Sequence, residues 1–341
     1  MPLFNFTDFV TRQMRPAMRK QEEIEAIKAK IVKAELDSRT WQIDGDEEKY
    51  LDAYDRGEAF ESLLERKLKQ TYQATYSGPD SRSYPMLKSL SHISGSTIEA
   101  EDGAVGHVKT VFFDDQLWGI RYLVVETGTW LSRREVLISP YAVKRPLGEV
   151  KQLNVLLTRQ QIKDSPDIDT HEPVSRQHER EYLKYFSYPE YWGGADLWGT
   201  GIYPVLPAYT PTAEEIDADR VMRQREFESA DIHLRSAEKV TGYAIQATDK
   251  SIGHIKDFIF DEETWAIRYL VIDTRKWWPG GWSVLVATSW ITSIDWASNT
   301  AFVKLTSEQI KNSPEYEDWL PIDRNYEKLL HDAYNLQGYW P

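Results

Sequence analysis

The feature that most constrains this chain is an internal duplication. Gly106-His107-Val108-Lys109 returns as Gly253-His254-Ile255-Lys256, and Trp118-Gly119-Ile120-Arg121-Tyr122-Leu123-Val124 returns as Trp265-Ala266-Ile267-Arg268-Tyr269-Leu270-Val271, both 147 positions later. Across Gly106 to Val124, 11 of 19 positions are identical in the second copy. Self-similarity of this kind fixes the architecture before any local reading does, so one ancestral fold is expected twice. Gln161-Ile162-Lys163-Asp164-Ser165-Pro166 returns as Gln309-Ile310-Lys311-Asn312-Ser313-Pro314 at an offset of 148, so one residue has been added between the blocks. The turn around Trp277-Trp278-Pro279-Gly280-Gly281, opposite Trp130 to Arg133, is the expected place, because turns tolerate length changes.

Within a repeat, Val105, His107, Lys109 and Val111 alternate with their neighbours as in a strand. Asp114-Asp115-Gln116 supplies a polar turn, and Trp118 to Val125 reads as the return strand of an antiparallel hairpin. Asp261-Glu262-Glu263 turns the second copy in the same way. Thr158 with Gln161 predicts a capped short helix, stopped by Ser165-Pro166. Ser175-Arg176 and Asp323-Arg324 each precede a helical pattern that runs to a Tyr-Trp pair, Tyr191-Trp192 and Tyr339-Trp340. Each unit is therefore expected to be a small β-rich body with a helical tail.

Composition narrows the function classes. A formal charge of -13 over 341 residues opposes the attraction to phosphate on which nucleic-acid binding depends. There is no cysteine, which excludes disulfides and thiolate metal sites. The N-terminal residues lack the apolar core of a secretory signal, and no stretch reaches the roughly 20 apolar residues of a membrane-spanning helix. The expected location is cytoplasmic, with any membrane contact peripheral and on the cytoplasmic face.

Ahead of the repeats, Ile24, Ile27, Ile31 and Ala34 form an apolar stripe on a helix expected between Arg19 and Leu36. A second helix is expected from Glu47 to Tyr72, and Asp44-Gly45-Asp46 between them predicts a helical hairpin. Residues 1 to 33 carry seven Lys or Arg against four Asp or Glu, beside Phe4, Phe6 and Phe9. With Arg12 and Arg15 and the isoleucine stripe, they are the candidate partner-binding or membrane-surface segment. A helix that covers the body or pairs with its own copy is the competing reading. Between the repeats, Tyr185 to Tyr209 is dense in aromatic residues. Tyr188 and Trp198 are its candidate partner-binding residues, against the alternative that they pack the linker onto the body.

The candidate chemistry is sparse. His107 and His254 occupy equivalent places in separate repeats with no second histidine at ligand spacing, so a strand histidine is the favoured reading. The acids at the hairpin tips read as solvated turns rather than a cation loop. Arg121 and Arg268 lie in apolar strands and need partners, for which Glu126 and Asp273 are the nearby candidates. Trp118 and Trp265, each at the start of an apolar strand, are expected to be buried. No nucleophile elbow, phosphate loop, dinucleotide fingerprint or metal-binding histidine pair is present, so neither a catalytic activity nor a cofactor or metal is expected.

The repeated Gly, the hairpin with its acidic turn, the Trp-x-Ile-Arg-Tyr-Leu-Val-Val run and the acid-Thr pairs Glu126-Thr127 and Asp273-Thr274 resemble bacterial proteins with tandem PRC-barrel domains. The family takes its name from the H subunit of the photosynthetic reaction centre, and its barrel also occurs in a ribosome-maturation factor. The resemblance covers about residues 86 to 341. It implies a mainly β fold with some helix: two small antiparallel barrels at 86–192 and 232–341, each with a helical tail, joined by an aromatic linker at 193–231. The helical extension at 1–85 lies outside it. It also implies a docking module rather than a catalyst. The expected function is a scaffold or adaptor whose leader attaches to a protein partner or larger complex, with homo-oligomerisation left open. Two alternatives stand beside it: a peripheral subunit of a membrane-bound, photosynthetic electron-transfer type of complex, and an ion- or small-ligand-binding stress protein.

Overall fold

The computed structural model describes residues 29–76, 87–166, 174–206 and 233–340, with residues 23, 26 and 27, apart from short stretches near 129–133, 146–150, 193–200, 276–281 and 319–321. The chain divides into two compact units, Met1–Tyr84 and Pro85–Pro341.

The first unit is a helical hairpin. Residues 29–44 are helical (α1), and α2 spans Glu47–Tyr76, beyond the expected end at Tyr72. Gly45 has a φ of +72°, which a glycine adopts without steric cost, and the Asp46 carboxylate accepts the Lys49 amide at the start of α2. Ile27 is buried with Ile31, Phe60 and Leu63 packed around it, while Ala34 and Ala53 are buried small residues that suit a close approach of helices.

The second unit holds both repeats. The first contains β1 (Leu87–Ser89), α3 (Leu90–Ile93), β2 (Thr97–Ala100), β3 (Gly103–Asp114), β4 (Ile120–Thr127), β5 (Glu135–Ile138), β6 (Gln152–Asn154), α4 (Arg159–Lys163) and α5 (Arg176–Phe186). The second contains β7 (Leu234–Ser236), α6 (Ala237–Val240), β8 (Ala244–Gln246), β9 (Ser251–Asp261), β10 (Ile267–Asp273), β11 (Ser283–Ala287), β12 (Ile291–Asp295), β13 (Thr300–Val303), α7 (Ser307–Lys311) and α8 (Arg324–Tyr334). The strand orders match: β5-β4-β3-β2-β6 in one sheet and β11-β10-β9-β8-β13-β12 in the other. Among the described residues, strand β12 has only an isolated bridge, Val143 to Val155, as its counterpart. The added residue lies where expected, since Glu126 pairs with Glu135 but Asp273 pairs with Ser283 across a longer turn.

The repeated glycine is there because two strands crowd. A Cβ on Gly106 would lie 2.0 Å from the Glu126 carbonyl oxygen, and one on Gly253 would lie 2.5 Å from that of Asp273. Thr158 and Thr306 make complete capping boxes with Gln161 and Gln309. The tail helices end earlier than the pattern suggested, at Phe186 and Tyr334, where Ser187 and Asn335 take left-handed backbones with φ of 56° and 54°. The Tyr-Trp pairs lie beyond these stops.

The repeats exchange their opening strands. β1, from the first repeat, pairs antiparallel with β9 of the second, and β7, from the second, pairs with β3 of the first. Phe113 and Phe258 meet at 5.7 Å in one apolar core that runs through both repeats. The fold is thus mixed α/β with one sheet of seven strands and one of six. Two details differ from the antiparallel barrels expected. Among the described residues no pairing closes either strand path on itself, and each sheet has one parallel pair, β2 with β6 and β8 with β13. The opening strand of each repeat is committed to the other sheet, where its backbone groups are paired.

Candidate functional site

The residues that both repeats share beyond their core converge on two equivalent clusters of charge and aromatic rings. In the first, Asp114 ends β3 and one carboxylate oxygen accepts the amides of Gln116 and Leu117 at 2.8 and 3.2 Å, shaping the hairpin turn. The other oxygen meets the Arg121 guanidinium at 3.1 Å, and both side chains are fully enclosed. Arg121 lies 3.9 Å from the centre of the Tyr191 ring and 4.8 Å from that of Trp198, and it donates to the Leu197 carbonyl at 2.6 Å. Rings on its flanks and acceptors at its edge suit a desolvated guanidinium.

Behind it, the buried Glu179 of α5 accepts the hydroxyls of Tyr122 and Tyr191 and meets Arg176 at 3.2 Å. Burial pushes the Glu179 carboxyl up to about 7, against the pull of Arg176 and the two hydroxyls. Arg176 stacks on Trp192 at 4.3 Å. The Tyr-Trp pair therefore clamps two arginines.

The second repeat rebuilds this arrangement. Asp261 accepts the amides of Glu263 and Thr264 at 2.9 and 3.3 Å and meets Arg268 at 3.4 Å. Arg268 lies 4.1 Å from the Tyr339 ring, and Arg324 stacks on Trp340 at 4.3 Å. Tyr269 donates to the buried Glu327 at 2.8 Å, and burial raises that carboxyl too. His331 replaces Leu183 beside it, 3.0 Å from the Tyr269 hydroxyl, and burial lowers its affinity for a proton. The main departure is exposure: the Arg121 side chain is 0% exposed and that of Arg268 25%. A Cβ on Gly119 would lie 2.7 Å from the Arg121 guanidinium carbon, whereas the equivalent Ala266 carries that methyl group.

These partners correct several expectations. Glu126 is exposed and does not hold Arg121, and Asp273 binds Arg275 at 2.7 Å, which holds its carboxyl down at about 2. Reach along the strand is the reason: each acid stands five residues beyond its arginine, about 16 Å at the rise of a strand, while the register shift at the arginine leaves it beside the aspartate that ends the preceding strand. The hairpin-tip acids are solvated only in part: Glu263 is exposed and Asp115 half-buried, but Asp114, Asp261 and Glu262 are buried, and Glu262 lies 2.7 Å from Lys88 of the exchanged strand. Trp265 is fully buried as expected, but Trp118 is only half-buried. Both occupy the turn before the strand, with φ of 59°.

The linker aromatics offered as contact residues are packed instead. Trp198 is buried and donates its indole N–H to the Thr264 carbonyl at 2.8 Å, and Tyr188 is half-buried against Phe186 and Tyr141. In the leader, Ile27 and Ile31 face Phe60 and Leu63 of the same hairpin, so they are not a free stripe. Phe4, Phe6, Phe9, Arg12, Arg15 and Ile24 lie outside the described residues. His107 is exposed beside Thr97, and His254 lies 5.6 Å from Trp277. Among the described residues no group of three potential metal ligands occurs, and no helix is long and apolar enough to cross a membrane.

One open feature lies along the seam of the repeats. A groove of about 520 Å³ is lined by Trp118 of the first hairpin, Arg235 of the exchanged strand β7, and Ile291, Ile294 and Trp296 at β12. Asp115 holds Arg235 at 2.7 Å, and the guanidinium stacks on Trp296 at 4.0 Å. The sequence reading missed Arg235 and Trp296, because strand exchange alone brings them to the first hairpin. No known family profile matches the chain, and no curated protein matches it.

Proposed function

We propose that residues 85–341 are a non-enzymatic docking body of the tandem PRC-barrel type, and that the helical leader attaches this adaptor to a larger assembly. The observation that carries the reading is the contrast between the braced charge clusters and the open seam groove. Arg121, Asp114, Arg176 and Glu179 and their counterparts are engaged with one another and with aromatic rings inside the body, which suits bracing rather than turnover. The seam groove differs in being open: half-buried Trp118, Ile291, Ile294 and Trp296 line it, with Arg235 held between Asp115 and Trp296, and tryptophan and arginine are residue types that anchor protein interfaces. The doubled sequence motif and matching strand orders support the family resemblance. The basic, aromatic first residues support attachment to a partner or to the surface of a membrane-bound complex.

Affinity capture from native lysate tests the docking reading. Full-length protein should retain partners that an Arg235→Glu, Trp296→Ala variant loses. An unchanged set of partners would remove the seam from the proposal. Capture with and without residues 1–85 separates the leader's contribution, and sedimentation with anionic vesicles tells a lipid surface from a protein one.

A further inference from the structure

This inference rests on the docking reading and names what docks. The duplication creates two equivalent tracks along the seam, and the chain itself lies on one of them. Asp196 and Gly199 exchange two backbone hydrogen bonds of 3.1 Å, which puts Leu197 and Trp198 at the tip of a tight turn, and Gly199 has the positive φ of 80° that closes it. The Leu197 carbonyl takes the Arg121 guanidinium, the Trp198 ring covers it, and the indole N–H reaches the Thr264 carbonyl. Further along, Arg145 joins the Glu263 carbonyl to that of Pro204. A tryptophan turn followed by a Tyr-Pro stretch thus fits this surface, and Trp265 beneath it is 0% exposed.

On the other track the same positions are open. Arg268 stands for Arg121, Leu117 for Thr264, Gln116 for Glu263 and, past the added residue, Ser289 for Tyr141. Arg268 is covered on one side by Tyr339, and among the described residues no second ring lies over it. Leu117 is 48% exposed, and Trp118, the counterpart of Trp265, is half-buried. The exposed Ser289 leaves more room than Tyr141, and the track continues into the groove of Trp118, Ile294 and Trp296. No described residue occupies it.

The geometry points to this second track as the docking site for a segment of a partner protein that presents a tryptophan at the tip of a glycine-containing turn. Its indole covers Arg268 and donates to the Leu117 carbonyl, the preceding carbonyl takes the guanidinium, and the apolar residues that follow enter the Trp118–Trp296 groove. The chain's own residues 194–206 define the chemistry of the occupant.

A fluorescein-labelled peptide of residues 194–206, titrated into the full-length protein and followed by anisotropy and calorimetry, tests this. The expected result is saturable binding of one peptide per chain, weakened at least tenfold when the peptide's tryptophan is alanine. Arg268→Met should weaken it similarly. Ser293→Trp, at an exposed position in the groove wall, should block it, and this variant decides the matter if Arg268→Met does not fold. Absence of binding, or binding that Ser293→Trp leaves unchanged, overturns the inference. So does concentration-dependent dimerisation that the peptide abolishes, which would make a second copy the occupant. If lysate partners are lost on Arg235→Glu, Trp296→Ala while the peptide fails to bind, the docking reading stands and this ligand assignment falls.

Discussion

Trp118 and Trp265 are bonded crosswise through their backbones: the Trp265 carbonyl accepts the amide of Ile120 at 2.8 Å, and the Trp118 carbonyl accepts that of Ile267 at 2.7 Å. The strand that follows each tryptophan is therefore tied to the turn of the other repeat. The two side chains are not equivalent, because the linker's Trp198 bonds beside Trp265 at Thr264 and nothing among the described residues does so beside Trp118.

Replacing Trp265 by alanine should cost about 3 to 5 kcal/mol, the usual range for removing a large aromatic ring from a core. Trp118→Ala should cost less than half as much, since part of its ring already meets solvent. Urea unfolding of both variants checks this. Equal losses would show that exposure does not distinguish them.

Gly119→Ala should destabilise the chain by about 1 to 3 kcal/mol, because the added methyl must displace an enclosed guanidinium. The reverse change, Ala266→Gly, meets no such obstacle and should cost about 1 kcal/mol or less. Thermal melts of the two variants give the comparison, and a neutral Gly119→Ala would mean that Arg121 has room to move.

The Glu179 carboxyl gives a pH dependence with a definite sign. Its value is about 7 in the folded chain against an ordinary 4.5, so folding favours the protonated form. That contribution is full below about pH 4.5 and is lost as pH rises through about 7, on the order of 2 to 4 kcal/mol. Glutamine imitates the neutral acid. Urea midpoints measured from pH 5 to pH 8 should fall more steeply for the native chain than for Glu179→Gln, and parallel profiles would contradict the assignment.

Much of this architecture was legible in the residues. The duplication predicted the matching strand orders, Thr158 with Gln161 predicted a capping box that is present, and the one-residue offset located the longer turn. What stayed hidden depends on long-range placement. Residues 87–89 and 234–236 are too short to carry a strand pattern, and nothing local says that each pairs with the other repeat. Asp114 and Asp261 read as surface acids because hairpin tips are usually wet. Their burial follows from the arginine that folds back over them, a contact set by the left-handed turn at Trp118 and Trp265. Gly119 gave no signal of its own until the enclosed guanidinium above it was seen.

Residues 85–341 should unfold in one cooperative transition, since the exchanged strands and the shared core leave neither repeat complete without the other. Calorimetry of the full chain should show a single peak for this unit, separate from any signal of the leader. Two peaks assignable to the individual repeats would contradict it. Expressed alone, either repeat should fail to give a stable monomer.

The reciprocal loan of β1 and β7 also sets how the body responds to dilution. Two separate molecules that lent each other a strand would come apart as their concentration fell, at a point fixed by their affinity. Here the lender and the borrower are one chain, so each strand meets its acceptor at a fixed local concentration, of millimolar order for a short flexible connection. The pairing is therefore first order and indifferent to copy number. A protein present in few copies keeps the seam, and with it the groove, as intact as an abundant one would.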